Sequence, residues 1–271
     1  MTNTTSTQRA ESAFAGVSTL LLATSVAGTI VWCASMSAMA GMPMPGGWTM
    51  SMAWMRMPGQ AWAGAAASFL GMWIVMMVAM MLPALIPMLR RYRQAVGPAG
   101  EPRLGRLTAL VGAGYFFVWS LFGVAAFPIG VALAEVEMRQ PALARAVPMA
   151  VGLVVLVAGL LQLTAWKARR LDCCRVAPEG GRGLPAGAGT AWRHGLHLGL
   201  QCSYCCAGMM AILLVVGVMD LRAMTLVAAA INVERLAPAG HRIARATGAL
   251  AVLAGVLLLA RAAGMATGVA G

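Results

Sequence analysis

The sequence predicts an all-α fold, a polytopic transmembrane helix bundle of about seven spans. Three observations carry that prediction. Of the 271 residues, 60% are hydrophobic and only 10% are charged, whereas a soluble domain carries about 25% charged residues. Mean hydropathy is +0.79. The apolar residues also fall into long runs separated by arginine-rich segments. The balance of 20 Lys+Arg against 8 Asp+Glu leaves a net charge of +12. Because these cations lie between apolar runs, they read as cytoplasmic loops facing anionic lipid. No nucleic-acid module is visible, so the bilayer is the expected partner. The six cysteines lack the spacing of an extracellular disulfide framework.

Residues 1–13 are polar and are expected to be a disordered cytoplasmic N-terminus. Residues 14–271 then form one transmembrane helical domain. The first apolar run, Phe14–Cys33, exceeds the about 7–15 residues of a signal-peptide core and reads as an uncleaved span. Six spans remain if it is cleaved, or if the short sixth run is re-entrant.

Next comes a Met-rich outer loop at 34–60, carrying Met36, Met39, Met42, Met44, Met50, Met52, Met55 and Met57. Pro43, Pro45, Gly46 and Gly47 argue against a regular helix there. A loop outside the membrane has no evident core for these thioethers to fill. Thioethers bind Cu(I) without needing deprotonation and do not cross-link under oxidising conditions, which suits capture in a periplasm. The alternative is a membrane-lying loop in which they pack.

The second span, about 66–88, carries Met72, Met76 and Met80 as an i, i+4, i+8 stripe, with Met77 and Met81 on the adjacent face. Pro83 and Pro87 are expected to kink or break its inner end. Arg90, Arg91, Arg93, Arg103 and Arg106 mark a cytoplasmic loop. The third span is about 107–131 and the fourth about 147–166, joined by a loop of balanced charge on the outside. A flexible cytoplasmic loop follows at 167–194, rich in Arg and Gly and holding Cys173 and Cys174.

The fifth span, about 195–217, contains Cys202, Cys205, Cys206, Met209 and Met210. At about 100° per residue, the first four of these share an arc of roughly 100°, with Met210 at its margin. Sulfur gathered on one face away from water is what a soft ion such as Cu(I) selects. Small Cys and pliable Met also fill gaps between helices, which is the packing alternative. Asp220 and Arg222 mark a short outer turn before a sixth run at about 223–233, short for the ~20 residues that a span needs. Glu234, Arg235, His241, Arg242 and Arg245 read as cytoplasmic, and the last span is about 246–260. Alternation places the N-terminus in the cytoplasm and the Met-rich loop on the outer, periplasmic side.

Depth joins the two sulfur motifs. Met77 and Cys206 each lie about 11 residues into their antiparallel spans, so at ~1.5 Å per residue both reach the midplane. Spans two and five are therefore expected to build one Cys/Met site, whereas His194 and His197 fall outside it.

These motifs resemble a family of bacterial integral-membrane proteins predicted to bind metal, domain of unknown function 2182. The resemblance lies in Met72-Trp-Ile-Val-Met-Met-Val-Ala-Met-Met-Leu-Pro83 with Pro87, and in Gly195-x-x-x-Gly199-x-x-Cys202-x-x-Cys205-Cys206-x-x-x-Met210 with Gly217-Val-Met219. Gln162-Leu-Thr164 with Lys167, and Glu234-Arg235 before Pro238, extend it over about residues 35–262. The resemblance implies a polytopic membrane protein that binds metal, with copper the expected ion. There are departures: Arg170 stands where relatives carry the first of two loop cysteines, which Cys174 completes; Ala207 replaces a common Trp, and Asp220 a common Asn.

The reading is a non-enzymatic membrane protein that handles Cu(I) by capture, storage or transfer, passing it to or from a copper chaperone or cuproprotein partner. Two other readings compete. One is a structural or assembly subunit in which sulfur only packs helices. The other is a thiol–disulfide oxidoreductase using Cys202 and Cys205, which midbilayer burial opposes because it disfavours the thiolate.

Overall fold

The computed structural model describes residues 2–39, 41–57, 59–96, 101–175 and 187–268, without the side chains of residues 2–7, 10, 101, 102, 173–175 and 265–268. Eight α-helices run in order among these residues: α1 Thr2–Ala38, α2 Trp62–Val96, α3 Glu101–Arg139, α4 Pro141–Gln162, α5 Ala165–Arg175, α6 Ala188–Val216, α7 Leu221–Leu236 and α8 Gly240–Gly268. Six of them, all but α5 and α7, are long and apolar enough to cross a membrane. The fold is thus the expected helix bundle, at the lower of the two span counts. The sixth run is the reason: α7 has 16 residues, about 24 Å at 1.5 Å per residue, short of a ~30 Å hydrocarbon core.

The polar N-terminus is helical from Thr2, where disorder was expected. Its first turns have a partner on α2. Arg93 Nε donates to Glu11 Oε1 at 3.3 Å, and the Arg93 guanidinium lies 5.0 Å from the Phe14 ring centre. Two further boundaries differ from expectation. The Met-rich segment is no irregular loop: strands β1 Met42–Met44 and β2 Trp48–Met50 form a hairpin, followed by a 3-10 turn Met52–Trp54. Gly46 and Gly47 take φ of 102° and 75° at its tip, conformations that side-chain-bearing residues avoid. The 167–194 loop begins as helix α5, where the Thr164 hydroxyl accepts from the Lys167 amide at 3.3 Å, a capping contact; residues 176–186 of it lie outside the described residues.

Helix α2 stays continuous through Pro83 and Pro87, where a break was one expected outcome. A proline leaves the carbonyl four residues before it without its helical donor and pushes on the ladder around it. Near Pro83 the helix gains a tie to α7: Asn232 Nδ2 donates to the Met80 carbonyl at 2.8 Å, one residue beyond Ala79, whose carbonyl lies four residues before Pro83.

Glycines set the closest helix pairs. Gly159 and Gly255 sit so tightly in the α4–α8 seam that a Cβ on either would lie 2.6 Å from a backbone nitrogen of the opposite helix. Gly195 and Gly199 do the same for α6 against α3, where added Cβ atoms would strike the carbonyls of Val111 and Tyr115. This is small-residue packing of the kind that membrane helices use in place of a hydrophobic driving force. The pairing of 111 with 195 and of 115 with 199 makes α3 and α6 parallel.

Candidate metal centre

Every sulfur residue expected on the second and fifth spans is buried: Met72, Met76, Met77, Met80 and Met81 on α2, and Cys202, Cys205, Cys206, Met209 and Met210 on α6. All ten belong to one contiguous core cluster. The helices reach it indirectly. α2 and α6 are not themselves a closely packed pair; α3 and α7 each pack against both, and the two sulfur-bearing faces enclose the core between them.

The centre of that core is Cys202, which is fully buried. The close α3–α6 seam at Gly195 and Gly199 carries Tyr115 up to it, and the Tyr115 hydroxyl donates to Cys202 Sγ at 2.9 Å. From the other side α7 brings Arg235. Its Nη1 donates to Cys202 Sγ at 2.8 Å, and its Nη2 to Met88 Sδ at 3.4 Å. One guanidinium therefore links the cysteine helix to the methionine helix.

The three thiols are not equivalent. Cys202 and Cys206, one turn apart, have their sulfurs 3.8 Å from each other. That is far beyond the about 2.05 Å of a disulfide, and both thiols are free. Cys206 is also in hydrogen-bonding contact with Cys205. Cys205 faces the neighbouring side of the helix, beside a cavity of about 150 Å³ lined by Gln162, Lys167 and Tyr204 among others. Among the described residues, no three His, Cys, Asp or Glu side chains converge in a way that holds a metal ion. A metal held here would need methionine sulfur beside the two thiols.

Next to the sulfur lies a buried ion pair. Lys167 Nζ meets Glu234 Oε2 at 2.9 Å, with side chains 3% and 1% exposed. Gln162 Nε2 and Thr247 Oγ1 both donate to Glu234 Oε1, at 2.8 and 2.6 Å. Lys167 also donates to the Cys205 carbonyl at 2.7 Å. The network fastens α4, α5, α7 and α8 to α6, directly behind the thiols.

Reading by sequence missed Tyr115, Met88 and the whole charged set. Glu234 and Arg235 were expected in a cytoplasmic loop, and Lys167 at the start of another. All three are buried, because α5 and α7 are short helices folded in among the long ones. One signal was available: Lys167 is the single lysine in a chain whose other cations are arginines. His194, half-buried, stacks on the buried Tyr92 with ring centres 5.3 Å apart, and His197 is exposed.

The outer methionines divide. Met44 and Met50 are buried in a small second core with Ala134 and Ala144. The hairpin does have a core to fill, contrary to expectation, and the Trp48 indole donating to the Ala144 carbonyl at 2.8 Å seats it on α4. Met39 and Met42 are exposed, while Met36, Met52, Met55 and Met57 are half-buried. The side chains of Cys173 and Cys174 lie outside the described residues.

A family model described as PpoB2, copper chaperone, matches residues 70–258. No curated protein and no solved structure matches the chain. The matched interval opens on the methionine face of α2 and closes within α8, so it holds Tyr115, Lys167, the α6 thiols and Arg235, and leaves out the methionine hairpin. With more than half of its length matched, this membrane-helix bundle with a Cys/Met-rich core belongs to the PpoB2 copper-chaperone family.

Proposed function

We propose that this chain is a membrane copper chaperone that holds one Cu(I) between Cys202 and Cys206, with methionine thioethers of α2 and α6 completing the site. The observation that carries the reading is the 3.8 Å separation of the two sulfurs. Two metal–thiolate bonds of about 2.3 Å, meeting at angles between tetrahedral and trigonal, require sulfurs about 3.8–4.0 Å apart. Soft donors in a core away from water favour Cu(I) over harder ions. Thiolates retain the ion, and Met72, Met76, Met77, Met80, Met81, Met209 and Met210 supply weaker contacts through which it enters and leaves by ligand exchange, with no bond-making on any other substrate. The resemblance to the predicted metal-binding membrane family agrees with this assignment.

In this proposal residues 14–271 act as one transmembrane unit in a bacterial inner membrane, with the N-terminus cytoplasmic and the hairpin periplasmic. Exposed Met39 and Met42 are the first contacts for incoming ion. Cys205 serves as a relay toward the cytoplasmic side, where Cys174 and then a soluble copper-binding partner receive it.

The test is copper stoichiometry. Purified wild type loaded with Cu(I) under reducing conditions should retain about one tightly held ion against a moderate chelator, with sulfur-only scattering in X-ray absorption. The Cys202→Ser/Cys206→Ser double variant should lose it. Equal copper retention by the two proteins sinks the proposal and returns the sulfur residues to a packing role.

A further inference from the structure

On the outer face of the bundle, α4, α5 and α6 leave a notch where they meet. It is the cavity of about 150 Å³ beside Cys205, and its lining residues Leu161, Trp166, Tyr204 and Ala207 are all exposed. At its back, Gln162 and Lys167 turn their polar ends inward to Glu234, at 2.8 and 2.9 Å, so the walls facing the bilayer are mainly apolar. About 150 Å³ is enough for a small apolar group such as benzene.

A cation is held at the mouth of this notch. Trp166 and Arg170 are one turn apart on α5 and share its outer face, while Lys167 and Leu171 point into the bundle. The Arg170 guanidinium lies 5.5 Å from the Trp166 ring centre and 5.2 Å from that of Tyr204. Asp172, the acid closest to it along the chain, is engaged by His241 at 2.7 Å. Among the described residues, no carboxylate forms an ion pair with Arg170. The surroundings also fix its depth. Just before α5, the exposed residues Val157, Leu160 and Leu161 of α4 are apolar, whereas the Asp172–His241 pair, two residues past Arg170, is 59% and 45% exposed. Arg170 therefore stands where hydrocarbon gives way to headgroups.

A guanidinium steadied by two rings offers its N–H donors as a planar fork, the geometry that grips a phosphate through two parallel hydrogen bonds. Trp and Tyr are also the side chains that membrane proteins set at headgroup depth. We propose that this notch is a binding site for one anionic phospholipid, with the phosphate on Arg170 and the start of an acyl chain against Trp166, Tyr204 and Ala207. In the orientation proposed above this is the cytoplasmic leaflet, whose surface is rich in anionic lipid. The bound lipid bridges α5 to α6, and so steadies Lys167, which donates to the Cys205 carbonyl at 2.7 Å behind the thiols. The inference needs no metal and stands or falls apart from the copper site.

The experiment uses the full-length protein, purified in detergent, stripped of lipid and titrated with dioleoyl phosphatidylglycerol, the bound copies being counted by native mass spectrometry. Wild type should hold one copy more tightly than any further copy, and more tightly than phosphatidylcholine with the same chains. Arg170→Gln should weaken that first binding about tenfold or more, the loss expected of a charge-assisted contact. Arg170→Lys, which keeps the charge without the fork, should weaken it less. Ala207→Phe fills the notch from an exposed position and leaves the cation in place; it too should weaken the first copy, and it carries the test should Arg170→Gln fail to fold. Phosphatidylglycerol should also raise the unfolding temperature of wild type more than that of either variant. Equal affinity for the first copy in wild type, Arg170→Gln and Ala207→Phe overturns the site. Phosphatidylcholine held as tightly as phosphatidylglycerol, or a series of equivalent copies with no tighter first one, overturns it as well. Displacement of the first copy by millimolar inorganic phosphate assigns Arg170 to a free anion and overturns the lipid.

Discussion

Replacing Lys167 with Met should destabilise the bundle by about 3–5 kcal/mol, the usual consequence of leaving one member of a buried ion pair alone. The starting geometry is severe. Lys167 and Glu234 are 2.9 Å apart with 3% and 1% of their side chains exposed. At an effective dielectric constant of about 20, charges at that distance attract by about 6 kcal/mol, most of which offsets the loss of hydration by both groups. Met in place of Lys fills a similar volume but supplies neither the charge for Glu234 nor the donor for the Cys205 carbonyl. The second substitution separates these effects. Glu234→Gln keeps an acceptor for Gln162 and Thr247, which donate to it at 2.8 and 2.6 Å. The Lys167→Met/Glu234→Gln double variant should therefore recover at least half of what Lys167→Met loses. The assay is a double-mutant cycle on thermal unfolding in detergent, followed by circular dichroism, in which about 2–4 °C accompanies each kcal/mol for a chain approaching this size. Additive single effects, with a coupling below about 0.5 kcal/mol, would refute the ion pair as an energetic unit.

Three further outcomes follow from the same contacts. Gly195→Ala places a methyl group against the Val111 carbonyl, a backbone atom that cannot swing away. It should destabilise by about 1–3 kcal/mol, and in the folded fraction it should loosen copper retention by drawing Tyr115 off Cys202. Gly255→Leu in the α4–α8 seam should lower thermal stability at least as much, since even a Cβ there lies 2.6 Å from the Leu156 nitrogen; copper stoichiometry in the folded fraction should stay at the wild-type value, because Gly255 meets Leu156 of α4 and none of the sulfur residues. Met50→Ala empties a side chain that is only 2% exposed. Limited proteolysis should then cut the hairpin faster, while the copper held between Cys202 and Cys206 remains unchanged; loss of that copper would show that the hairpin shapes the inner site.

Much of the architecture was legible because membrane insertion is a local property. A run of apolar residues declares its own ability to cross a bilayer, and a helix of known pitch declares which sulfurs share a face. Hence Met72 through Met81 and Cys202 through Met210 were placed on buried helix faces without any tertiary information. The hairpin was only partly legible: Pro43, Pro45, Gly46 and Gly47 argued against a regular helix, but the burial of Met44 and Met50 depends on Ala134 and Ala144 arriving from α3 and α4. The run at 223–233 was short for a span, and α7, though longer at 16 residues, is still short of one.

What the sequence by itself determined, then, is the class of fold, the spans and the supply of sulfur, all set by residue type and local period. Only the tertiary structure decided what Cys202 meets. Glycine contacts at Gly195 and Gly199 fix the rotation of α6 on α3, and so bring Tyr115 to the thiol. The folding-in of α5 and α7 turns Lys167, Glu234 and Arg235 from apparent loop charges into the buried electrostatics of the core. Charges on short helices flanking a span look the same in a sequence whether they face water or a partner, because that choice depends on a partner distant in the chain and on how closely the helices between them approach.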